Sequence, residues 1–248
     1  VTVDPLASTP GQILAGQQAD DQMGYSLAPA GDVNGDGFGD LVVGAITYDN
    51  GNTDEGAAFL YYGSVTGVPA TPSVILESNR NNLRFGYSLA AADFNKDGFS
   101  DLVIGVPQYT NGVGEAYEGA VYIYYGSAPG PDPNPTILEG NRGGARMGTS
   151  VAVGDLNGDG QPDIASGALG YNNAGALYNG QGGVYVFYGI PAGFNTTPVI
   201  LTTGLQGGVT FGGSATGVSI GNFNGDAYKD LVVGAAGYDE GISNQGAV

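Results

Sequence analysis

Asp32-Val33-Asn34-Gly35-Asp36-Gly37-Phe38-Gly39-Asp40, running straight into Leu41-Val42-Val43-Gly44-Ala45, is the stretch on which the reading of this chain turns. It places side-chain oxygens at loop positions 1, 3, 5 and 9 (Asp32, Asn34, Asp36, Asp40), a glycine at position 6, and a position-7 residue, Phe38, whose backbone carbonyl completes the set. Hard oxygen donors at alternate positions, with glycine at the sharp bend, are how a short segment wraps Ca²⁺, which takes six to eight oxygens. Magnesium suits the pattern less well, because it keeps several waters and demands strict octahedral geometry. An uncharged Asx-rich turn is the competing reading of one such loop taken alone. Three carboxylates within nine residues repel one another unless a cation sits among them.

The loop recurs. Asp93, Asn95, Asp97, Phe99 and Asp101 repeat the five positions, as do Asp155, Asn157, Asp159, Gln161 and Asp163, and then Asn222, Asn224, Asp226, Tyr228 and Asp230. The starts lie 61, 62 and 67 residues apart, so the chain is an array of one supersecondary unit. The fourth copy departs from the others: Asn222 replaces the position-1 aspartate and Ala227 the position-6 glycine. One negative ligand fewer and a less permissive bend predict three strong Ca²⁺ sites and a weaker fourth. EF-hand helices are excluded, because that loop needs a bidentate Glu at position 12, where this chain has Val43, Ile104, Ser166 and Val233.

Around each loop the same segments return. A β-branched strand comes first, at 12–16, 73–77, 135–140 and 198–202. An aromatic or Met followed by Gly comes next (Met23-Gly24, Phe85-Gly86, Met147-Gly148, Phe211-Gly212), then a small apolar strand that enters the loop. After it runs the most apolar strand of the unit, such as Leu102 to Val106, whose unbroken hydrophobicity predicts burial on both faces. A Gly/Asn/Tyr-rich connection leads to a final strand alternating aromatic and aliphatic residues, as in Ala120-Val121-Tyr122-Ile123-Tyr124. Four short strands per unit and no helical period predict an all-β fold, a β-propeller of four-stranded blades, over 1–248 as a single domain. Its repeats are drawn at 12–72, 73–134, 135–197 and 198–248, the last incomplete. A sandwich of turn-rich hairpins is the competing all-β arrangement, but sandwiches do not repeat so regularly.

These residues resemble the FG-GAP repeat family, found in the integrin α-subunit propeller and in related microbial secreted proteins. The resemblance rests on the Phe-Gly element at 85–86 and 211–212, with Met at 23 and 147, on the calcium loop, and on the later Gly44-Ala45, Gly105-Val106-Pro107, Gly167-Ala168 and Gly234-Ala235. It implies that the calcium loop joins the first and second strands of a blade on one face. The second-to-third-strand and blade-to-blade connections then crowd the opposite face, which in integrins recognises ligand. It also implies a ring of about seven blades, of which this chain supplies about four as part of a longer propeller. A four-bladed ring, or one completed by a second chain, is the alternative.

The formal charge of −18 disfavours nucleic acid and anionic membrane surfaces as partners. Eleven of the eighteen aspartates lie in the four loops, where cations would neutralise them. The absence of histidine and cysteine excludes Ser-His-Asp and Cys-His catalysis and imidazole- or thiolate-bound metal. No apolar run is long enough to insert in a membrane, and the N-terminus does not read as a signal peptide.

The expected function is therefore a non-enzymatic, calcium-binding, extracellular adhesion or ligand-binding module. Its partner would be a protein or glycan on the face opposite the calcium loops, reached through Tyr48–Glu55, Tyr109–Glu118, Tyr171–Gln181 and Tyr238–Gln245 with Arg80, Arg84, Arg142 and Arg146 among them. The plain alternative is that these are solvated connections. Two other classes compete: a structural subunit packing on neighbouring subunits, and a carboxylate-based glycan-active enzyme using Glu115, Glu118 or Glu139. Asn195-Thr196-Thr197 fits the N-glycosylation acceptor pattern.

Overall fold

The computed structural model describes residues 12–111, 116–172, 181–191, 193–202, 210–213, 217–236, 238 and 246–248. Its regular elements are all strands. The first blade is an antiparallel sheet of β1 (Met23–Gly31), β2 (Asp40–Ala45), β3 (Ala57–Tyr61) and β4 (Val74–Glu77) in chain order. The second comprises β5 (Ser88–Ala92), β6 (Asp101–Val106), β7 (Ala120–Tyr124) and β8 (Thr136–Glu139). In the third, β9 (Met147–Gly154), β10 (Asp163–Ala168) and β11 (Gly183–Phe187) are followed by a small hairpin, β12 (Gly189–Ile190) with β13 (Gly193–Phe194), before the outer strand β14 (Val199–Leu201). The fourth repeat contributes β15 (Thr210–Phe211) paired with β18 (Ala235–Ala236), and β16 (Val218–Gly221) paired with β17 (Asp230–Val233).

Hydrophobic run length decides which strands lie deepest. Every residue of β3, β6, β7, β10 and β11 is buried, as their continuous apolar sequences require when a sheet is covered on both faces. The outer strand β14 is exposed at all three residues. The inner strands β1, β5, β9 and β16 look onto a common cavity of about 480 Å³, lined by Tyr25, Leu27, Ser88, Leu89, Val151 and Val218 among others. Successive sheets set with their inner strands around one cavity form a β-propeller.

Three contacts, repeated from blade to blade, make the seam. The inner-strand serines donate across it: Ser26 Oγ to the Gly86 carbonyl at 2.6 Å, Ser88 to Gly148 at 2.9 Å, and Ser150 to Gly212 at 3.0 Å. The same carbonyls sit on the glycines that end the second strands. A Cβ placed on Gly44, Gly105 or Gly167 would come within 2.1, 2.2 and 1.9 Å of the oxygens of Gly86, Gly148 and Gly212. Single parallel bridges then join Gly56 to Phe85, Gly119 to Met147 and Gly182 to Phe211. The Phe/Met-Gly element of one blade is thus the plug for a glycine-lined socket on the preceding one.

One expected strand is missing. Residues 12–16 have a β-branched core but form no strand. The equivalent Val74–Glu77 does, because β3 of its own repeat offers a free edge, pairing Ala57 with Glu77 and Leu60 with Val74. The four-stranded sheets therefore span 23–77, 88–139 and 147–201, offset from the divisions at 12–72, 73–134 and 135–197 drawn from the repeat. A periodic sequence has no intrinsic starting phase, and strand pairing supplies it.

Candidate metal centres

Each oxygen-rich loop links the first and second strands of its blade, so all four share one end of the molecule. In the first, the Asp32 carboxylate is cradled by backbone donors: Oδ1 accepts from Gly35 N at 2.7 Å and Asp36 N at 3.1 Å, and Oδ2 from Gly37 N at 2.8 Å. Asn34 Oδ1 accepts from Asp36 N at 3.0 Å, and its amide donates to Asp36 Oδ2 at 2.9 Å. Gly35 and Gly37 reach this shape with φ of 73° and 88°, a region open to glycine and costly for most side chains. The second and third loops repeat the pattern, with Gly98 N to Asp93 Oδ2 at 3.0 Å and Gly160 N to Asp155 Oδ2 at 2.8 Å.

Position 9 stands apart. Asp40 Oδ2 accepts from Val33 N at 2.8 Å and Oδ1 from Gly63 N at 2.8 Å, so one carboxylate ties the loop entrance to the connection after the third strand. Asp101 does the same with Phe94 N and Gly126 N, and Asp163 with Leu156 N and Gly189 N. All three are buried. Burial pushes the Asp101 carboxyl up to about 6; its two N–H donors pull the other way, and the Asp97 and Asp93 charges add to the rise. Asp40 and Asp163 are raised by the same causes.

Among the described residues, no three Asp, Glu, His or Cys side chains are drawn together as a ready-made metal cluster. Positions 1 and 5 instead satisfy themselves on backbone N–H groups. The donor set still fits a hard cation: hard oxygens at positions 1, 3 and 5 share hydrogen bonds within the loop, and Phe38, Phe99 and Gln161 are the residues whose carbonyls would complete it at position 7.

The fourth loop differs where its sequence does. Asn222 Oδ1 still accepts from Gly225 N at 2.6 Å, but its amide nitrogen donates to the Asp226 carbonyl instead of accepting from position 6. Ala227 does not take the left-handed φ of Gly37, Gly98 and Gly160. Asn222 takes away the carboxylate oxygen that accepts from position 6 in the other loops, and Ala227 keeps its N–H without the left-handed backbone that presents it there. Asn224 and Asp226 keep their mutual contact at 2.8 Å, Tyr228 N donates to Asp226 Oδ1 at 2.7 Å, and Asp230 Oδ2 accepts from Phe223 N at 2.7 Å.

Comparison with protein families settles the kinship. A model described as FG-GAP repeat matches residues 23–61, 85–124, 147–187 and 214–248. The chain belongs to the FG-GAP repeat family. Rat phosphatidylinositol-glycan-specific phospholipase D is 38% identical over 154 residues, covering 58% of this chain and 18% of the relative. Rat integrin alpha-7 is 38% identical over 167 residues, covering 66% of this chain and 14% of the relative, and chicken integrin alpha-6 is 37% identical over 152 residues, covering 61% and 13%. The FG-GAP chain thus spans under a fifth of the length of these relatives. Among solved structures, rhamnogalacturonan lyase YesW superposes with a TM-score of 0.49 at 15% identity, over 84% of this chain and 40% of that one.

The FG-GAP repeats place the second-to-third-strand and blade-to-blade connections together at the end opposite the loops. Thr53 N donates to Asn81 Oδ1 at 2.8 Å, and Asn82 N to the Thr53 carbonyl at 2.8 Å. The arginines there serve the seam as well as the surface: Arg80 lies 5.0 Å from the ring centre of Tyr109, Arg142 4.6 Å from Tyr171 and Arg146 5.7 Å from Tyr117. Arg84 and Arg146 line a small cavity with Tyr87, Gln108 and Thr149. Of the glutamates weighed for catalysis, Glu118 is fully buried and accepts from Asn111 N at 2.8 Å. Glu139 accepts from Tyr109 Oη and from the Asn111 amide, each at 2.9 Å. Blade one repeats this with Glu55 on Asn50 N at 2.6 Å and Glu77 on the Asn50 amide. Glu115, and most of the connections at 171–181 and 238–245, lie outside the described residues. Asn195 is exposed on the loop-bearing end, its Oδ1 accepting from Thr197 N at 3.0 Å.

Sequence reading missed the structural roles of Ser26, Ser88 and Ser150 and of the position-9 aspartates. The serines carried a signal, recurring two residues after each Phe/Met-Gly glycine. The aspartates' spacing marks them as loop oxygens but does not show the N–H groups of Gly63, Gly126 and Gly189 that also bond to them from 23 to 26 residues on.

Proposed function

We propose that this FG-GAP chain is a non-enzymatic, calcium-stabilised propeller module that binds a protein or glycan ligand on the face opposite its loops and works outside the cell. The observation that carries the reading is the near-identical oxygen cradle of the first three loops, built only from hard donors. Asp32, Asn34, Asp36 and the Phe38 carbonyl, with Asp40 beneath them, hold the first ion, and their counterparts in the second and third loops do the same. Bound Ca²⁺ supplies no reaction; it neutralises crowded carboxylates and braces the junction between first and second strands. Filling it requires the position-1 and position-5 carboxylates to turn from their N–H donors toward the ion.

If the loops bind as extracellular calcium modules do, at about 10⁻⁴ to 10⁻³ M, they fill in millimolar calcium. At that concentration each contributes roughly 0.4 to 1.4 kcal/mol by mass action. The non-enzymatic reading draws support from Glu118 and Glu139, which fasten connections through Glu118 Oε1 and both oxygens of Glu139. The test is thermal unfolding in calcium and in EDTA, with isothermal titration for stoichiometry. Three sites filled before a weaker fourth, and a lower Tm in EDTA, are expected; a Tm indifferent to chelator overturns the calcium reading. Binding to immobilised glycans or proteins that is lost on altering the 48–55 and 109–118 connections tests the ligand face.

A further inference from the structure

Neighbouring loops touch, and at two of the three junctions the contact takes a form that no single loop reveals. A Cβ placed on Gly35, position 4 of the first loop, would lie 2.3 Å from Cε1 of Phe99, position 7 of the second. A Cβ on Gly158, position 4 of the third loop, would lie 2.6 Å from Cε1 of Tyr228, position 7 of the fourth. The Cε1 edge of each aromatic ring therefore rests against the preceding loop, on the residue whose left-handed backbone aims the N–H groups at the position-1 carboxylate.

Between the second and third loops both halves of the pair change together. Position 4 is Lys96, held at φ 59°, and position 7 of the next loop is Gln161, which has no ring to seat. Lys96 instead reaches over the third loop, its Nζ 3.6 Å from where a Gly160 Cβ would stand. Phe38, position 7 of the first loop, has no earlier loop beneath it among the described residues. The first seat is reinforced by the backbone, since Ser100 N, next to Phe99, donates to the Asp32 carbonyl at 2.8 Å.

We propose that the loops act as two coupled pairs: the position-7 ring of the second loop rests on position 4 of the first, that of the fourth on position 4 of the third, and each sets its predecessor's readiness to hold a cation. Phe99 is thus a positioning residue for the first loop and Tyr228 for the third, although each contributes its carbonyl to its own loop. Ordering one loop orders its predecessor, so occupancy in the fourth loop favours the third and occupancy in the second favours the first. The consequence for cations rests on the calcium reading above; the seating itself does not.

The test uses the whole chain with Phe99→Ala, Phe99→Leu and Tyr228→Ala. Amide hydrogen exchange is followed first in EDTA. With Phe99→Ala, exchange at Gly35, Asp36 and Gly37 should rise about threefold or more, while Gly158, Asp159 and Gly160 stay as in the wild type; Tyr228→Ala should give the reverse, and Phe99→Leu should restore most of the protection. Loop-one amides unmoved by Phe99→Ala, or all loops accelerated alike, overturn the proposal. A graft gives an independent arm: Lys96→Gly with Gln161→Phe should protect the second loop more than the two single changes sum to, and strict additivity counts against the rule. Calcium titration then separates the two readings. Weakened binding at the first loop in Phe99→Ala supports both, whereas a wild type that takes up no calcium sinks the cation reading and leaves the EDTA exchange to decide the coupling.

Discussion

Phe85→Ala is the perturbation the seam makes most costly. The ring is fully buried, packed edge-on to Tyr122 at 5.4 Å between centres and to Tyr124 at 6.2 Å, within a core that also includes Ala58 and Leu60 of the preceding blade. Truncating a buried Phe costs about 3–5 kcal/mol, the spread depending on how far the site collapses. Collapse is resisted here, because the Phe85 backbone is fixed by its N–H on the Glu55 carbonyl at 3.0 Å and its bridge to Gly56. Two edge-to-face contacts, each worth about 0.5–1.5 kcal/mol, are lost with the ring. The upper half of the range is therefore expected, a loss of order a thousandfold in the folding equilibrium against a total stability of about 5–15 kcal/mol. Phe85→Met is the control, since Met147 occupies the equivalent socket fully buried, and it should cost under about 1.5 kcal/mol. Urea unfolding at equilibrium, read as a change in midpoint at constant slope, measures both. Phe85→Ala costing less than about 2 kcal/mol, or Phe85→Met costing as much, would refute the plug-and-socket account.

Gly105→Ala should destabilise by about 3 kcal/mol, because the new methyl meets the Gly148 carbonyl, while Gly39→Ala, with nothing within 4 Å, should stay within about 0.5 kcal/mol; urea midpoints compare them. Ser88→Ala strips the buried Gly148 carbonyl of its hydroxyl donor and should cost about 1–2 kcal/mol in the same assay, without changing the strand register seen by NMR. Asn222→Asp with Ala227→Gly should raise fourth-loop calcium affinity by more than the two single changes combined, because the missing bond needs both an acceptor oxygen and a left-handed backbone; additive titrations would refute it. Burial, with the Glu139 hydrogen bond, pushes the Tyr109 hydroxyl up to about 12. The folded state then keeps a proton that the unfolded chain releases near pH 10, so this contribution is complete below pH 10 and is lost as pH climbs through about 12. Tyrosinate absorbance alongside circular dichroism should show ionisation of Tyr109 delayed until unfolding begins.

What the sequence determined by itself was everything written in local periodicity. The loops at Asp32, Asp93, Asp155 and Asn222, the doubly buried strands after them, and the Phe/Met-Gly and Gly-Ala elements all follow from spacing and hydrophobic run length, which act within a few residues. The fourth loop's departure was legible too, though as two separate losses; folding shows Asn222 and Ala227 at the two positions that the other loops join by one hydrogen bond. The tertiary structure decided what depends on a partner distant in the chain. Residues 12–16 and 74–77 carry similar β-branched sequences, yet only the latter meets a strand edge. Asp40, Asp101 and Asp163 are loop oxygens by position, and folding gives each a second task, accepting from the N–H of Gly63, Gly126 or Gly189. Gly35 could be read as a turn glycine from its own loop alone. That it must also stay bare for Phe99, 64 residues later, is a fact of contact between blades, and contact is what a linear pattern does not encode.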